Sequence, residues 1–247
     1  MRAWKLVRKG IPTRVSWAFL LALAAALSVG AQDEDVAGLD DDSSTATVRD
    51  PLKLFNQGVY TLNDRLYFWV LKPAAHGYAW AVPLPARQGI ANIFTNLGMP
   101  RRGVNCLLQG KFKGAATEVE RFAINTTVGC LGFMDFAETH CDLEAHDEDF
   151  GQTLGRYGVG YGFFLNLPVL GPSNPRDAVG RVADAFLDPV YYLVESLPAR
   201  LGIRAGDEVS KTSLRLGEYE KSKEGALNHY VFLREAYTQY RSEQIRR

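Results

Sequence analysis

The stretch FGQTLGRYGVGYGFFLNLPVLGPSNPRD, from Phe150 to Asp177, holds more glycine than helices and strands usually contain. Five glycines fall within twelve positions, interleaved with apolar and aromatic side chains: Gly151, Gly155, Gly158, Gly160 and Gly162. Glycine loses the most conformational entropy on folding, so this density is costly unless the backbone must bend or approach another group closely. Three prolines then end any long element before Arg176. The stretch is therefore interpreted as an apolar, flexible loop segment.

The glycine spacing does not match a nucleotide-binding loop. Gly155, Gly158 and Gly160 read G-x-x-G-x-G, the reverse of the dinucleotide order, and no Gly-Lys-Ser/Thr follows. On spacing alone, a glycine-rich turn between helices is the simpler interpretation. The pair Arg176-Asp177, which opens the next helix, is interpreted as a capping and ion-pair arrangement rather than a substrate clamp.

The first 31 residues are typical of a secretory signal peptide. Five basic residues and no acidic ones surround an apolar run that ends in small residues before Gln32. A retained membrane anchor stays an alternative, although the run is shorter than the roughly 20 residues of a spanning helix. Residues 32–48 are acidic and poor in large apolar side chains, which predicts a disordered tether. Residues 49–243 are predicted to form one domain.

The charge balance argues against nucleic-acid binding. The whole chain is formally neutral, and removal of the predicted signal peptide leaves 23 basic residues against 28 acidic ones. Phosphate backbones are recognised by clustered positive charge, which an acidic chain of this kind does not offer.

Apolar residues recur every three or four positions along most of the domain, which predicts an all-α fold. The first predicted helix runs from Leu52 to Pro73 and is apolar on more than one face, so either a wide buried face or contact with lipid would explain it. A connector is predicted from Pro73 to Pro85. Further helices are predicted from Pro85, near Arg101 to Gln109, from Phe112, beyond Arg176, from Pro189 and from about Leu227 to Glu243.

No motif indicates catalysis, and we predict that the protein is not an enzyme. No G-x-S-x-G or similar nucleophile turn is present. The segment from His140 to His146 contains metal-ligand residue types, but its histidines are six positions apart, so a solvated acidic loop is the simpler interpretation and no metal or cofactor is predicted. If any disulfide forms among the three cysteines, we expect Cys130 to pair with Cys141.

Several motifs, in unbroken order from about residue 49 to 241, resemble those of the MlaA/VacJ family. They are DPL at Asp50–Leu52, PLPARQGIANIFTNLGMP at Pro83–Pro100, RFAINTTVGCLGFMD at Arg121–Asp135, FGQTLGRYGVGYG at Phe150–Gly162, and GPSNPRD at Gly171–Asp177. Two features depart from the family pattern. No cysteine stands at the predicted cleavage site to carry a lipid anchor, and Phe163 stands where family members often have proline after the glycine run.

The resemblance implies a fold and a function. It implies a ring-like bundle of amphipathic helices embedded in one leaflet of the outer membrane, on its periplasmic face, with a channel through its centre. Phospholipids misplaced in the outer leaflet would pass through the channel to a periplasmic lipid-carrier protein, and a porin trimer would hold the ring in place. An envelope scaffold and a soluble periplasmic lipid-binding shuttle stay open as alternatives.

Two groups of residues are predicted to line the lipid pathway. The glycine stretch would form a pore wall or hinge, and polar side chains on apolar helices would accommodate headgroups. The predicted residues are Gly151, Gly155, Tyr157, Gly158, Gly160, Tyr161, Gly162, Asn56 and Asn63. For the two asparagines, helix capping is the competing role.

Overall fold

The computed structural model describes residues 48–247, so the predicted signal peptide and, except for Val48, the predicted tether lie outside the described residues. The helices are α1 (Lys53–Leu66), α2 (Lys72–Ala81), α3 (Leu84–Leu97), α4 (Met99–Leu108), α5 (Phe112–Thr127), α6 (Phe136–Cys141), α7 (Phe150–Arg156), α8 (Pro175–Ala185), α9 (Pro189–Leu193), α10 (Leu197–Leu214), α11 (Glu218–Glu224) and α12 (His229–Arg246). A π-helical segment, Tyr67–Leu71, joins α1 to α2.

The fold is mainly helical, as predicted, with one short hairpin that the sequence pattern does not reveal. Strands β1 (Leu165–Leu167) and β2 (Gly171–Ser173) pair antiparallel, with Leu165 opposite Ser173. Strands of three residues are too short for a period-two pattern to be recognised. Among residues 48–247, no helix combines the length and the apolar character that crossing a membrane requires.

The prediction that the first helix ends at Pro73 is wrong. The helix continues through the π segment and α2 to Ala81, so most of the predicted connector is helical. In the π segment the Lys72 N–H donates to the Tyr67 carbonyl, a wider turn than in an α-helix. Pro73 lies in this continuous helix directly after the π segment, as the second residue of α2.

Side-chain capping sets the starts of several helices. Asp135, Asp149, Asn174 and Asn228 each accept a hydrogen bond from a backbone N–H in the first turn of α6, α7, α8 and α12, respectively. Such caps satisfy donors that have no partner inside the helix. The capping role predicted around Arg176-Asp177 is confirmed at α8, where Asn174 accepts from the Asp177 N–H at 2.8 Å.

The described residues distribute polarity in an unusual way. Buried polar and charged residues number 22 and buried apolar residues only 8, while 29 large apolar residues are exposed. In water-soluble proteins charged residues are rarely fully buried and extended apolar surface is uncommon. The helices therefore enclose a polar interior and present apolar side chains outward.

Candidate lipid pathway

The glycine stretch is partly helical, which differs from the predicted loop. Gly151 and Gly155 lie in α7, whereas the chain from Tyr157 to Phe164 is irregular. Gly158 and Gly162 adopt positive φ of 88° and 74°, a conformation that residues with a Cβ rarely take. Asp149 caps the N-terminus of α7 and so stabilises the helical conformation of the first glycines in the stretch.

Gly151 and Gly155 are sites of close packing. A Cβ at Gly151 would lie 2.6 Å from Asp177 Oδ1 and 2.8 Å from an Arg241 guanidinium nitrogen. A Cβ at Gly155 would lie 2.6 Å from Ile245 Cδ1. On the facing helix α8, a Cβ at Gly180 would lie 2.7 Å from Gly151 Cα. These glycines let three helices approach each other, which explains their residue type without a ligand.

Gly158 and Gly160 are placed differently. A Cβ at either position would meet no atom within 4 Å, and one at Gly162 would make only ordinary contact with Pro175 at 3.6 Å. Packing therefore does not explain glycine at 158 or 160. The positive φ of Gly158 explains glycine at that position. Neither close packing nor a positive φ explains glycine at position 160.

The two predicted tyrosines differ in exposure. Tyr157 is exposed, and its hydroxyl donates to the Leu108 carbonyl. Tyr161 is half-buried, and its hydroxyl lies 2.9 Å from Thr238 Oγ1 on α12. Burial raises the pKa of Tyr161. Both rings attach the irregular segment to neighbouring helices.

Asn56 and Asn63 hold the hairpin against α1. Asn56 is fully buried, donates to the Phe164 carbonyl at 2.9 Å and accepts from the Asn166 N–H at 2.8 Å. Asn63 donates to the Leu167 carbonyl and accepts from the Val169 N–H. These contacts engage both amide groups in a structural role, so their place on a lipid pathway stays a prediction. The predicted capping role is not observed, because both residues lie inside α1.

A buried ionic cluster underlies the glycine stretch. Arg241 on α12 donates to both carboxylate oxygens of Asp149, at 2.7 and 2.9 Å, and to Asp177 Oδ2 at 2.8 Å. Arg176 donates to Asp177 Oδ1 at 3.0 Å, which confirms the predicted ion pair. Burial alone would raise the pKa of Asp177, but hydrogen bonds and charge from Arg241 outweigh it and hold this pKa below its usual value.

A second polar cluster continues across α4 and α7. Asn105 donates to Asp184 Oδ1 at 2.8 Å, and Thr153 donates to Asn105 Oδ1 at 2.9 Å. Burial raises the pKa of Asp184. Nearby, Gln109 and Lys111 donate to the two carboxylate oxygens of Glu148. The interior beside the glycine stretch is thus lined by hydrogen-bonded charges rather than by an apolar core.

The outward surface carries a contrasting set of side chains. Trp69 in the π segment is 76% exposed and Trp80 in α2 is 90% exposed. On α10, Leu197 and Leu201 are also exposed. Other side chains attach this region to α11. Tyr67 in the π segment donates to Glu220, and Lys72, the first residue of α2, pairs with Glu220 at 2.7 Å. Burial, followed by the hydrogen bond to Glu220, raises the pKa of Tyr67 to about 12.

Cysteines and acidic residues form no further site in the part of the chain that the structure describes. Cys106, Cys130 and Cys141 are unpaired there, so the pairing expected for Cys130 and Cys141 is not observed. Burial, with nearby Glu148 and Glu118, raises the pKa of the Cys106 thiol to about 11. Between residues 48 and 247, no group of three or more His, Cys, Asp or Glu side chains is placed to hold a metal ion.

Comparisons with known proteins agree over most of the chain. Residues 48–244 match the family described as MlaA lipoprotein. The chain is 35% identical to the intermembrane phospholipid transport system lipoprotein MlaA of Haemophilus influenzae, over 82% of each chain. It is 33% identical to the Escherichia coli K12 protein of that name, over 89% of this chain and 84% of the relative.

Solved structures show the same similarity. A structure reported as "Structural basis for maintenance of bacterial outer membrane lipid asymmetry" superposes with a TM-score of 0.69 at 32% identity. The alignment covers 79% of this chain and 98% of the solved one. Likeness of fold and likeness of sequence therefore point to one family.

Proposed function

The chain belongs to the MlaA family, and we propose that it transports phospholipids and thereby maintains the lipid asymmetry of a bacterial outer membrane. The relatives are named for intermembrane phospholipid transport, and the similar structure was described for outer-membrane lipid asymmetry. We propose transport rather than catalysis, since no nucleophile motif is present in the sequence.

The observation that carries this proposal is the inverted distribution of polarity. A phospholipid has a charged headgroup, which is costly to desolvate without polar partners, and acyl chains, which need only apolar contact. A helical bundle with apolar side chains outside and hydrogen-bonded charges inside can meet both needs within a membrane leaflet. A soluble shuttle would instead expose to water the 29 large apolar residues found on the surface of residues 48–247.

The exposed apolar side chains supply a means of membrane attachment that does not depend on a lipid anchor. The relatives are named lipoproteins, yet the three cysteines of this chain are Cys106, Cys130 and Cys141, none of them near the predicted cleavage site. Helices with exposed tryptophan and leucine can bury this surface among lipid chains. We propose that the π segment, α2 and α10 face the acyl chains of the inner leaflet.

In this scheme the irregular segment from Tyr157 to Phe164 borders the lipid pathway. Gly158 and Gly160 leave space that no other side chain fills, so a lipid could pass beside them. The outer-leaflet lipid would continue to a periplasmic carrier protein, with a porin trimer as the supporting partner. Both partners are proposals that cross-linking of the intact chain in cells would test.

The main test measures phospholipid in the outer leaflet of cells that lack the protein. The intact chain should restore asymmetry, whereas Gly160→Phe should not, because its ring would fill the open space. Gly160 has no positive φ, so this change tests bulk without backbone strain. The double change Gly202→Phe and Gly206→Phe on α10, where space is also open, is the matched control and should restore asymmetry.

Two results would contradict the proposal. If deletion causes no accumulation of outer-leaflet phospholipid, asymmetry does not depend on this protein and a scaffold role is favoured. If Gly160→Phe restores asymmetry as well as the intact chain does, the glycine segment does not border the pathway.

A further inference from the structure

The chain between α7 and α8 makes an excursion from the helical frame. It leaves at Tyr157, passes through the irregular segment and the hairpin, and returns at Asn174. We call residues 157–174 the excursion. Its two ends are fixed by α7 and α8, which pack closely where Gly151 meets Gly180.

One side chain contacts both of these helices. Arg241 is 6% exposed, and its guanidinium donates to both oxygens of Asp149 and to Asp177 Oδ2, at 2.7 to 2.9 Å. Asp149 is the N-cap of α7, and Asp177 lies in the first turn of α8. Arg241 therefore connects the helix before the excursion to the helix after it.

The surroundings of Arg241 are built for this contact. Gly151 leaves room for the guanidinium, since a Cβ there would lie 2.8 Å from one of its nitrogens. Tyr237, one turn earlier on α12, donates to Asp177 Oδ2 at 2.7 Å, and Asn174 donates to the same oxygen at 2.7 Å. Only a planar, forked donor can serve two carboxylates in this geometry, so lysine is not an equivalent.

We propose that Arg241 is a positioning residue, a clamp that joins the N-terminal end of α7 to the first turn of α8. The helices before and after the excursion would then stay fixed while the glycine segment moves and lipid passes. This inference rests on the proposed function. Without the clamp, α7 and α8 would lose their link through Arg241, and the segment from Tyr157 to Phe164 would lose its fixed position beside the pathway. The glycines supply the freedom to move, and Arg241 limits that freedom.

The first test measures amide hydrogen exchange of the full chain in detergent and compares the Arg241→Lys variant with the intact protein. We expect amides of residues 157–164 to exchange roughly tenfold faster in the variant, with α3 and α5 unchanged, because the loss is local. Arg247→Lys, an exposed change directly after the last residue of α12, is the matched control and should have no effect. The clamp proposal would be overturned if residues 157–164 exchange at the same rate in both proteins, or if exchange in Arg241→Lys is faster by the same factor in all helices.

Asp149→Asn keeps the proposal testable if Arg241→Lys does not fold. Asparagine keeps an oxygen that can cap α7 but loses the charged, two-pronged contact with Arg241. We expect faster exchange of residues 157–164 in Asp149→Asn. Where both variants fold, the double variant should exchange amides of residues 157–164 little faster than Arg241→Lys alone, because the two changes remove the same contact. Fully additive effects, or no effect of Asp149→Asn, would contradict a shared clamp.

Lipid asymmetry in cells separates the clamp from the proposed function. We expect Arg241→Lys, at normal protein level, to leave outer-leaflet phospholipid at least about threefold higher than the intact chain does. If the intact chain itself restores nothing, the proposed function fails, while the exchange data still decide whether the clamp exists. If Arg241→Lys restores asymmetry fully despite faster exchange, the positioning role in transport is wrong.

Discussion

The cluster around Arg241 and the surface of α2 differ in where they place polar and apolar groups. Around α7, α8 and α12, Asp177 and Arg241 are buried and paired, and Arg241 also pairs with the partly exposed Asp149. Along the π segment and α2, Trp69 and Trp80 lie outside without a covering element in the described chain. The difference teaches that charge pairs fix the positions of helices here, while apolar side chains contact the surrounding medium.

The largest effect should come from removing a charge in the cluster. Asp177→Ala leaves Arg241 and Arg176 without a shared carboxylate in a buried site, so we expect a loss of about 3–5 kcal/mol in the free energy of unfolding. Denaturant unfolding in detergent would measure it. The exposed change Glu243→Ala on α12 is the control. A loss near 1 kcal/mol would mean that the cluster is open to water.

A smaller effect is expected from crowding the contact of α7 with α8. Gly180→Ala places a Cβ 2.7 Å from Gly151 Cα, a backbone atom that cannot turn aside, so we expect a loss of about 1–3 kcal/mol. Gly202→Ala in α10 meets no atom within 4 Å and should instead gain up to about 1 kcal/mol from helix propensity. Equal effects at the two sites would show that the two helices are not tightly packed.

A change on the exposed surface should alter membrane binding but not folding. Trp80→Ser should change the free energy of unfolding by less than about 0.5 kcal/mol, because the ring is 90% exposed. Binding to neutral phospholipid vesicles should weaken roughly tenfold, since burial of a large apolar side chain is worth about 1.5–3 kcal/mol. Gln239→Ser serves as the control. Unchanged vesicle binding would remove α2 from the membrane-facing surface.

The smallest expected effect is a pH dependence of stability that arises at the junction of α1, α11 and α12. His229 Nδ1 lies 2.8 Å from the Tyr60 hydroxyl and Nε2 lies 3.1 Å from Ser222 Oγ. Burial, followed by the charge of Lys223, lowers the pKa of His229, and Asp64 opposes this only in part. The folded state thus disfavours the proton that the unfolded state takes up below about pH 6.5.

It follows that the contribution of His229 to stability is complete above that pH and is lost as pH falls through the lowered pKa of the folded state. Unfolding midpoints at pH 7.5 and 5.5 should differ for the intact protein, and the difference should shrink in His229→Gln. An equal difference in both proteins would assign the pH dependence to other groups.

The sequence predicts the helical fold and several helix starts, because apolar spacing and capping residues are local signals. The predicted elements do not include α10, although that helix is amphipathic. They also miss the continuation of α1 through Pro73, which depends on a π turn. The hairpin depends on Asn56 and Asn63, more than 100 residues away in the chain. The role of Arg241 is not predicted for a similar reason, because its partners Asp149 and Asp177 belong to other helices.

The sequence also does not separate the two kinds of glycine. Gly151 and Gly155 differ from Gly158 and Gly160 in the three-dimensional contacts that surround them, and Gly158 differs also in its positive φ. The spacing of glycines in the chain carries no information on which helix passes nearby.

The central claim, that the apolar exterior lies in lipid around a polar interior, is tested most directly by tryptophan fluorescence. The chain has four tryptophans, and two of them, Trp4 and Trp17, lie in the predicted signal peptide. The full chain carrying Trp4→Phe and Trp17→Phe then reports only on Trp69 and Trp80. In vesicles with brominated acyl chains, we predict blue-shifted emission and strong quenching. Emission typical of water, with no quenching, would contradict the account.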